Sequence, residues 1–276
     1  MLISLSSCFG AGENLVSATG ELLTRRVADV GSYSELEIRD IKIKKGTNYT
    51  GPKVNIDETL NRDFKITAQK SLLDSIKVDE SGKKITIYGD KNNRYITDND
   101  VEIEINGMMF TYMDLSGAVV CKMGNVNCEE KASYNLSGAS ILNAGIVNAN
   151  SITVELSGAS QFNVEELISN DCKIGASGAS QTNAKGTIKN ANIVLSGASM
   201  FKSFDCIIDT LSANLSGASQ LSATVTKSIT GSASGASMIL YDGNATETVE
   251  VSGASQIKHR WLSLKYFKLF YKKSII

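Results

Sequence analysis

Along the second half of the chain, apolar side chains fall on every second position and then break step beside a glycine. Two positions before each such glycine stand Leu115, Leu136, Leu156, Ala176, Leu195, Leu215, Ala233 and Val251. Four positions before it stand residues such as Met113, Tyr134, Val154, Ile174 and Ile193, and four after it Cys121, Leu142, Phe162, Phe201 and Leu221. A spacing of two places side chains on one face of a strand, whereas a helical repeat shows spacings of three and four. The glycines are Gly117, Gly138, Gly158, Gly178, Gly197, Gly217, Gly235 and Gly253, separated by 21, 20, 20, 19, 20, 18 and 18 residues. A near-constant period of this length marks a solenoid in which each repeat is one coil. The pattern predicts an all-β chain, a parallel right-handed β-helix or solenoid with about 20 residues per coil.

Each glycine lies in a Ser-Gly-Ala unit, usually Ser-Gly-Ala-Ser. In a solenoid this is a corner: glycine turns without a Cβ penalty, and small neighbours stack from coil to coil. A catalytic reading of the serines fails, because a nucleophilic serine needs a base and no His precedes His259. Asn143, Asn163 and Asn183 recur in consecutive coils, as do Asn150, Asn170 and Asn190, which is the pattern of stacked amide ladders. Gln161, Gln181, Gln220 and Gln256 share the position three after the glycine. If that position faces outward, they form a polar ladder that either meets a ligand or simply faces water.

Residues 24–110 lack the corner mark but alternate in "ELEIRDIKIKK", "KKITIYG" and "VEIEIN". They are read as irregular early coils or a β cap over an end that would otherwise invite edge pairing. "YGDKNNRYITDND" reads as an exposed loop, whose carboxylates either bind calcium or face solvent. Residues 111–258 are the regular coils. After them, residues 259–276 form a basic, aromatic tail that either lies on an anionic membrane, caps the last coil, or is an aberrant, frameshifted end.

Residues 1–23 carry Leu5-Ser6-Ser7-Cys8, the pattern of a bacterial lipobox with Cys8 as the acylated residue. The apolar run before it is short for a signal peptide, so residues 1–23 read as a truncated lipoprotein signal and spacer, or Cys8 is incidental. The other cysteines, Cys121, Cys128, Cys172 and Cys206, show no C-x-x-C spacing, so no metal site or cofactor is expected. Cys121 and Cys128 are either small buried thiols or a pair. A net charge of −1 implies no general attraction to nucleic acid.

The Ser-Gly-Ala-Ser repeat, the opening "CFGAGENLVSATGELLTRRVADVGSYSELEI" and the closing "SGASMILYDGNATETVEVSGAS" together resemble the head GIN domain family of auto-transporter adhesins, lipoproteins of Bacteroidetes type. Arg25, Val27, Tyr33, Leu36 and Ile38 carry the opening, and Tyr241 and Gly243 the close; Ala245 stands where a proline is usual. The resemblance covers about residues 8–258. It implies a parallel β-solenoid, lipidation at Cys8 and an outer-membrane envelope location, on the surface or the periplasmic side. The expected function is a non-enzymatic, anchored adhesin or structural surface protein, with glycans or cell-surface components as partners. The alternatives are a periplasmic structural component and a polysaccharide lyase or hydrolase, for which Asp171, Asp205 and Asp209 are the best available acids.

Overall fold

The computed structural model describes residues 14–27 and 32–260. Cys8 and residues 261–276 of the basic tail lie outside the described residues. The chain is a parallel β-solenoid of about seven turns.

The strand Ile141–Leu156 shows how a coil is built. Its buried residues are Leu142, Ala144, Val147, Ala149, Ile152, Val154 and Leu156. The spacing is two, except for a spacing of three between Ala144 and Val147 and again between Ala149 and Ile152. Each extra residue turns the chain while keeping the next apolar side chain inside. With the Ser-Gly-Ala-Ser corner, this gives three faces per coil. Coils then stack in register: Leu142 pairs with Phe162, Val147 with Leu167, Ile152 with Cys172 and Val154 with Ile174. Each buried Leu, Ile or Phe contributes roughly 1.5–3 kcal/mol, so the core is a set of apolar columns along the axis.

The glycine corner is fixed by close approach. From Gly138 onward, the alanine N–H after each corner glycine donates to the glycine carbonyl of the preceding coil, at 2.7 Å for Ala198 to Gly178. At Gly197, φ is +70° and an added Cβ would lie 2.6 Å from the Gly178 carbonyl oxygen. Only glycine fits both conditions. The serine that ends the unit turns inward: Ser199 is fully buried and its Oγ donates to the Ser196 carbonyl at 2.7 Å. The repeated tetrapeptide is therefore a hydrogen-bonded corner.

The first coils are stacked out of chain order. Glu35–Arg39 lies between Lys84–Tyr88 and Tyr112–Leu115 and is parallel to both. Lys53–Asp57 likewise lies between Glu102–Asn106 and Val120–Met123. The chain thus makes the second coil first, adds the terminal coil outside it, and crosses back through residues 107–111. Buried Met108 and Phe110 pin that crossing. In these two coils the short corner is replaced by longer connections, and Ile43–Lys45 and Asn93–Ile96 pair there in a side sheet with Asn14–Ser17 and Asn48–Thr50. The stretch around residues 88–100, expected as a loop, therefore contains a strand. Its Asp100 bridges Lys45 at 3.1 Å and Lys53 at 2.6 Å.

The cap is antiparallel. Leu22–Arg26 pairs with Asp63–Gln69, which covers the outer edge of Glu102–Asn106. The helix Lys70–Ser75 buries Leu72 and Leu73, and the Arg25 guanidinium donates to the Leu73 and Ile76 carbonyls near its end. Tyr33, Leu36 and Ile38 are core residues. At the other end, strand pairing runs beyond the expected limit at residue 258. Gln256–His259 pairs with Met238–Asp242, and the Arg260 N–H still donates to the Tyr241 carbonyl.

Two expected outcomes follow for stability. Gly197→Ala should destabilise the protein by at least about 2 kcal/mol, from left-handed strain plus the carbonyl clash, whereas Ser196→Ala should be near neutral in the same urea melts. Thr182 stands in the column between Phe162 and Phe201, fully buried with an unpaired hydroxyl. Thr182→Val should raise stability by about 1–2 kcal/mol by removing that unpaired group.

Candidate functional site

The residues between the inward positions form outward columns, and one column becomes the floor of a groove. Lys122, Asn143, Asn163 and Asn183 follow one another in successive coils. Lys202 comes next, one residue beyond the Thr182–Phe201 pair. Four steps at about 4.8 Å per strand give a floor of roughly 19 Å along the axis. Asn163 Nδ2 donates to Asn143 Oδ1 at 2.9 Å, and Asn183 Nδ2 to Asn163 Oδ1 at 2.7 Å. The groove has a volume of about 1080 Å³. Its rim is the neighbouring corner, where Glu165, Lys185 and Asp205 follow in successive coils, with Phe204 beside Asp205.

The glutamine column lies next to this ladder and faces outward, half-exposed at Gln161 and Gln181 and exposed at Gln220 and Gln256. It is mixed: Val120, Ile141, Gln161, Gln181, Met200, Gln220, Met238 and Gln256 stack in that order. Gln181 Nε2 donates to Asn183 Oδ1 at 2.9 Å and so joins the asparagine ladder. The eight corner glycines stand in one line at the edge where each coil enters this face.

A second groove of about 640 Å³ runs along the next face, lined by Asn148, Asn170, Thr187, Ile207 and Asp209. Asn148 bonds Asn127 at 3.1 Å and Asn170 bonds Asn150 at 2.7 Å. The expected third rung is shifted. Asn190 bonds Asp171 Oδ1 at 3.0 Å, because that coil is one residue shorter and its register places Asn190 opposite Asp171.

The three acids that could have served hydrolysis are kept apart. Asp205 lines the first groove, Asp209 the second and Asp171 a third hollow. Lys227, at 2.7 Å, holds the Asp209 carboxyl below the usual carboxylate range, and Thr226 adds a second hydrogen bond. In the first groove Glu165 and Asp205 are on one rim, with Lys185 in the coil between, so they do not face each other across a bound chain. Hydrolysis of a glycosidic bond needs two carboxyls flanking it. No group of three His, Cys, Asp or Glu that could hold a metal occurs among the described residues.

The sequence singled out Asp205 only as a candidate acid, and it did not mark Phe204 or the bulge that holds the two side by side. Their signal is in the spacing: the glycine interval drops from 20 to 18 just after their coil. The longer coil must let residues out against the shorter one.

A scan against family models matches residues 47–245 to "Putative auto-transporter adhesin, head GIN domain". The chain belongs to this family. Solved structures with the same fold include one named "putative lipid binding protein" from Parabacteroides distasonis, with TM-score 0.77, 15% identity, and coverage of 90% of this chain and 100% of that one. Another, named "putative adhesin", comes from Parabacteroides merdae, with TM-score 0.75, 12% identity, and coverage of 89% and 99%. A "putative adhesin" from P. distasonis gives 0.74 at 13% identity, with coverage of 90% and 100%. At these identities the likeness shows the shared solenoid. Among curated proteins nothing matches the chain.

The four described cysteines are free thiols. Burial pushes Cys121 and Cys172 far up, and Cys206 up to about 12. Cys128, half-exposed beside the second groove, is the accessible one. In a Cys8→Ser variant, a maleimide should label one thiol quickly in the folded protein and four after unfolding, because reaction needs an accessible thiolate. Mass spectrometry should place the fast label on Cys128.

Proposed function

We propose that the chain is a non-enzymatic adhesion module of the cell envelope, anchored through Cys8, and that the groove over Asn143, Asn163 and Asn183 is its glycan-binding surface. The observation that carries the reading is the amide ladder. Each carboxamide has two N–H donors and two acceptor lone pairs. Stacking between coils uses one of each at Asn163. What remains is one donor and one acceptor, which is the hydrogen-bonding character of a sugar hydroxyl. The rigid stack repeats such groups coil after coil, so an extended hydroxyl-rich chain meets a regular row of partners without a large ordering cost. Family membership supports the adhesive role, and the separation of Asp171, Asp205 and Asp209 weighs against a lyase or hydrolase.

Two measurements test the anchoring and the location. Protease shaving of intact cells should remove the solenoid, and Cys8→Ala should move the protein from the membrane to the soluble fraction. Protection until the outer membrane is broken would overturn the adhesin reading in favour of a periplasmic structural role. An unchanged membrane fraction for Cys8→Ala would overturn the anchor.

A further inference from the structure

The corner at Phe204 departs from the repeat in a specific way. Between Ser203 and Ile207 the chain inserts Phe204, Asp205 and Cys206, while their partners in the next coil, Ala223 and Thr224, are adjacent. The extra residues must leave the ladder, and a bulge of this kind re-aims side chains. Cys206 turns inward and is fully buried. Thr224 Oγ1 donates to the Phe204 carbonyl at 2.7 Å, and the Arg260 guanidinium sits 4.6 Å from the centroid of the Phe204 ring. The bulge is thus pinned at three points. It holds a half-buried aromatic ring in the wall of the groove, beside the exposed carboxylate of Asp205. Asp205 has no hydrogen-bond or ion-pair partner among the described residues.

We propose that the Phe204–Asp205 bulge is a sugar-stacking subsite that ends the groove and selects a neutral glycan. This rests on the glycan reading of the groove. A pyranose presents an apolar C–H face, which packs on an aromatic ring, and a rim of hydroxyls, of which a neighbouring pair can donate to one carboxylate. Phe204 and Asp205 offer these two complements side by side. The floor offers amides between Lys122 and Lys202, and the rim alternates in sign through Glu165, Lys185 and Asp205, so the cations are set apart with carboxylates among them and a polyanion meets no continuous positive track. A neutral chain running along the axis, with its last sugar on Phe204, satisfies the ladder and the bulge together.

The test uses full-length Cys8→Ser protein on an array of neutral and acidic glycans, followed by calorimetry with the neutral oligosaccharides retained and with pectin-derived oligouronates. The expected result is binding of neutral chains, tighter with length and only weakly dependent on salt. Phe204→Ala should lose about tenfold in affinity, the scale of one stacked ring, with no more than the small fall in melting temperature that loss of the Arg260 contact brings. Phe204→Trp should retain binding, and Asp205→Asn should weaken it. If the ring serves only to seat Arg260, Phe204→Ala will lower stability and leave affinity unchanged, which overturns the subsite while the glycan groove stands. Preferred binding of oligouronates with a steep salt dependence also overturns it. Retention of no glycan by the wild type overturns the subsite and the groove reading together.

Discussion

The structure depends on how closely one corner can sit on the next. At each Ser-Gly-Ala-Ser unit an alanine N–H reaches the glycine carbonyl of the coil before it, at 2.6–2.7 Å, and a Cβ on the upper glycine would fall on that carbonyl oxygen. The contact leaves room for one residue type and one register. It therefore does more than turn the chain. It fixes the height of each coil on the next, and with it the alignment of every column, inward and outward.

From that alignment the rest follows. Inward columns stack apolar side chains into a continuous core, in which the buried hydroxyls of Tyr134, Ser140 and Thr182 have no hydrogen-bond partner among the described residues. Outward columns stack like on like, so asparagine meets asparagine at the separation an amide hydrogen bond requires. A side-chain ladder on a single strand of a mobile surface would cost ordering entropy for each amide. Here the backbone spacing has already ordered them, and the ladder is a surface whose unused donors and acceptors all point the same way.

The same regularity explains why the proposed subsite lies where the repeat fails. Coils of one length stack smoothly and present flat faces. Where a longer coil meets a shorter one, residues must leave the sheet, and at Phe204–Asp205 they form the wall that closes the groove. Charge follows a similar logic. Asp205 and Asp209 are four residues apart and Asp171 is on a nearby coil, yet the three line different hollows, because a few residues along a coil of this kind are enough to pass a corner.

The sequence by itself determined the period, the corner, the strand direction of each inward residue and the composition of the columns. These are local properties: a spacing of two, a glycine at positive φ and a small residue beside it can be read without knowing what lies above or below. The cap was legible only as alternating strands. Which of them stacks on which was not, since Glu35–Arg39 lies between two strands that come later in the chain, and the connection through Met108 and Phe110 that produces this order is stabilised by contacts distant in sequence. Register across coils of unequal length was also decided only in three dimensions. Asn190 opposes Asp171 rather than Asn170, Gln181 joins the asparagine ladder while the rest of its column is mixed, and Phe204 is pushed outward by the shortness of the coil that follows. Each of these depends on the difference between two neighbouring coils, a quantity carried by their packing and by neither segment alone.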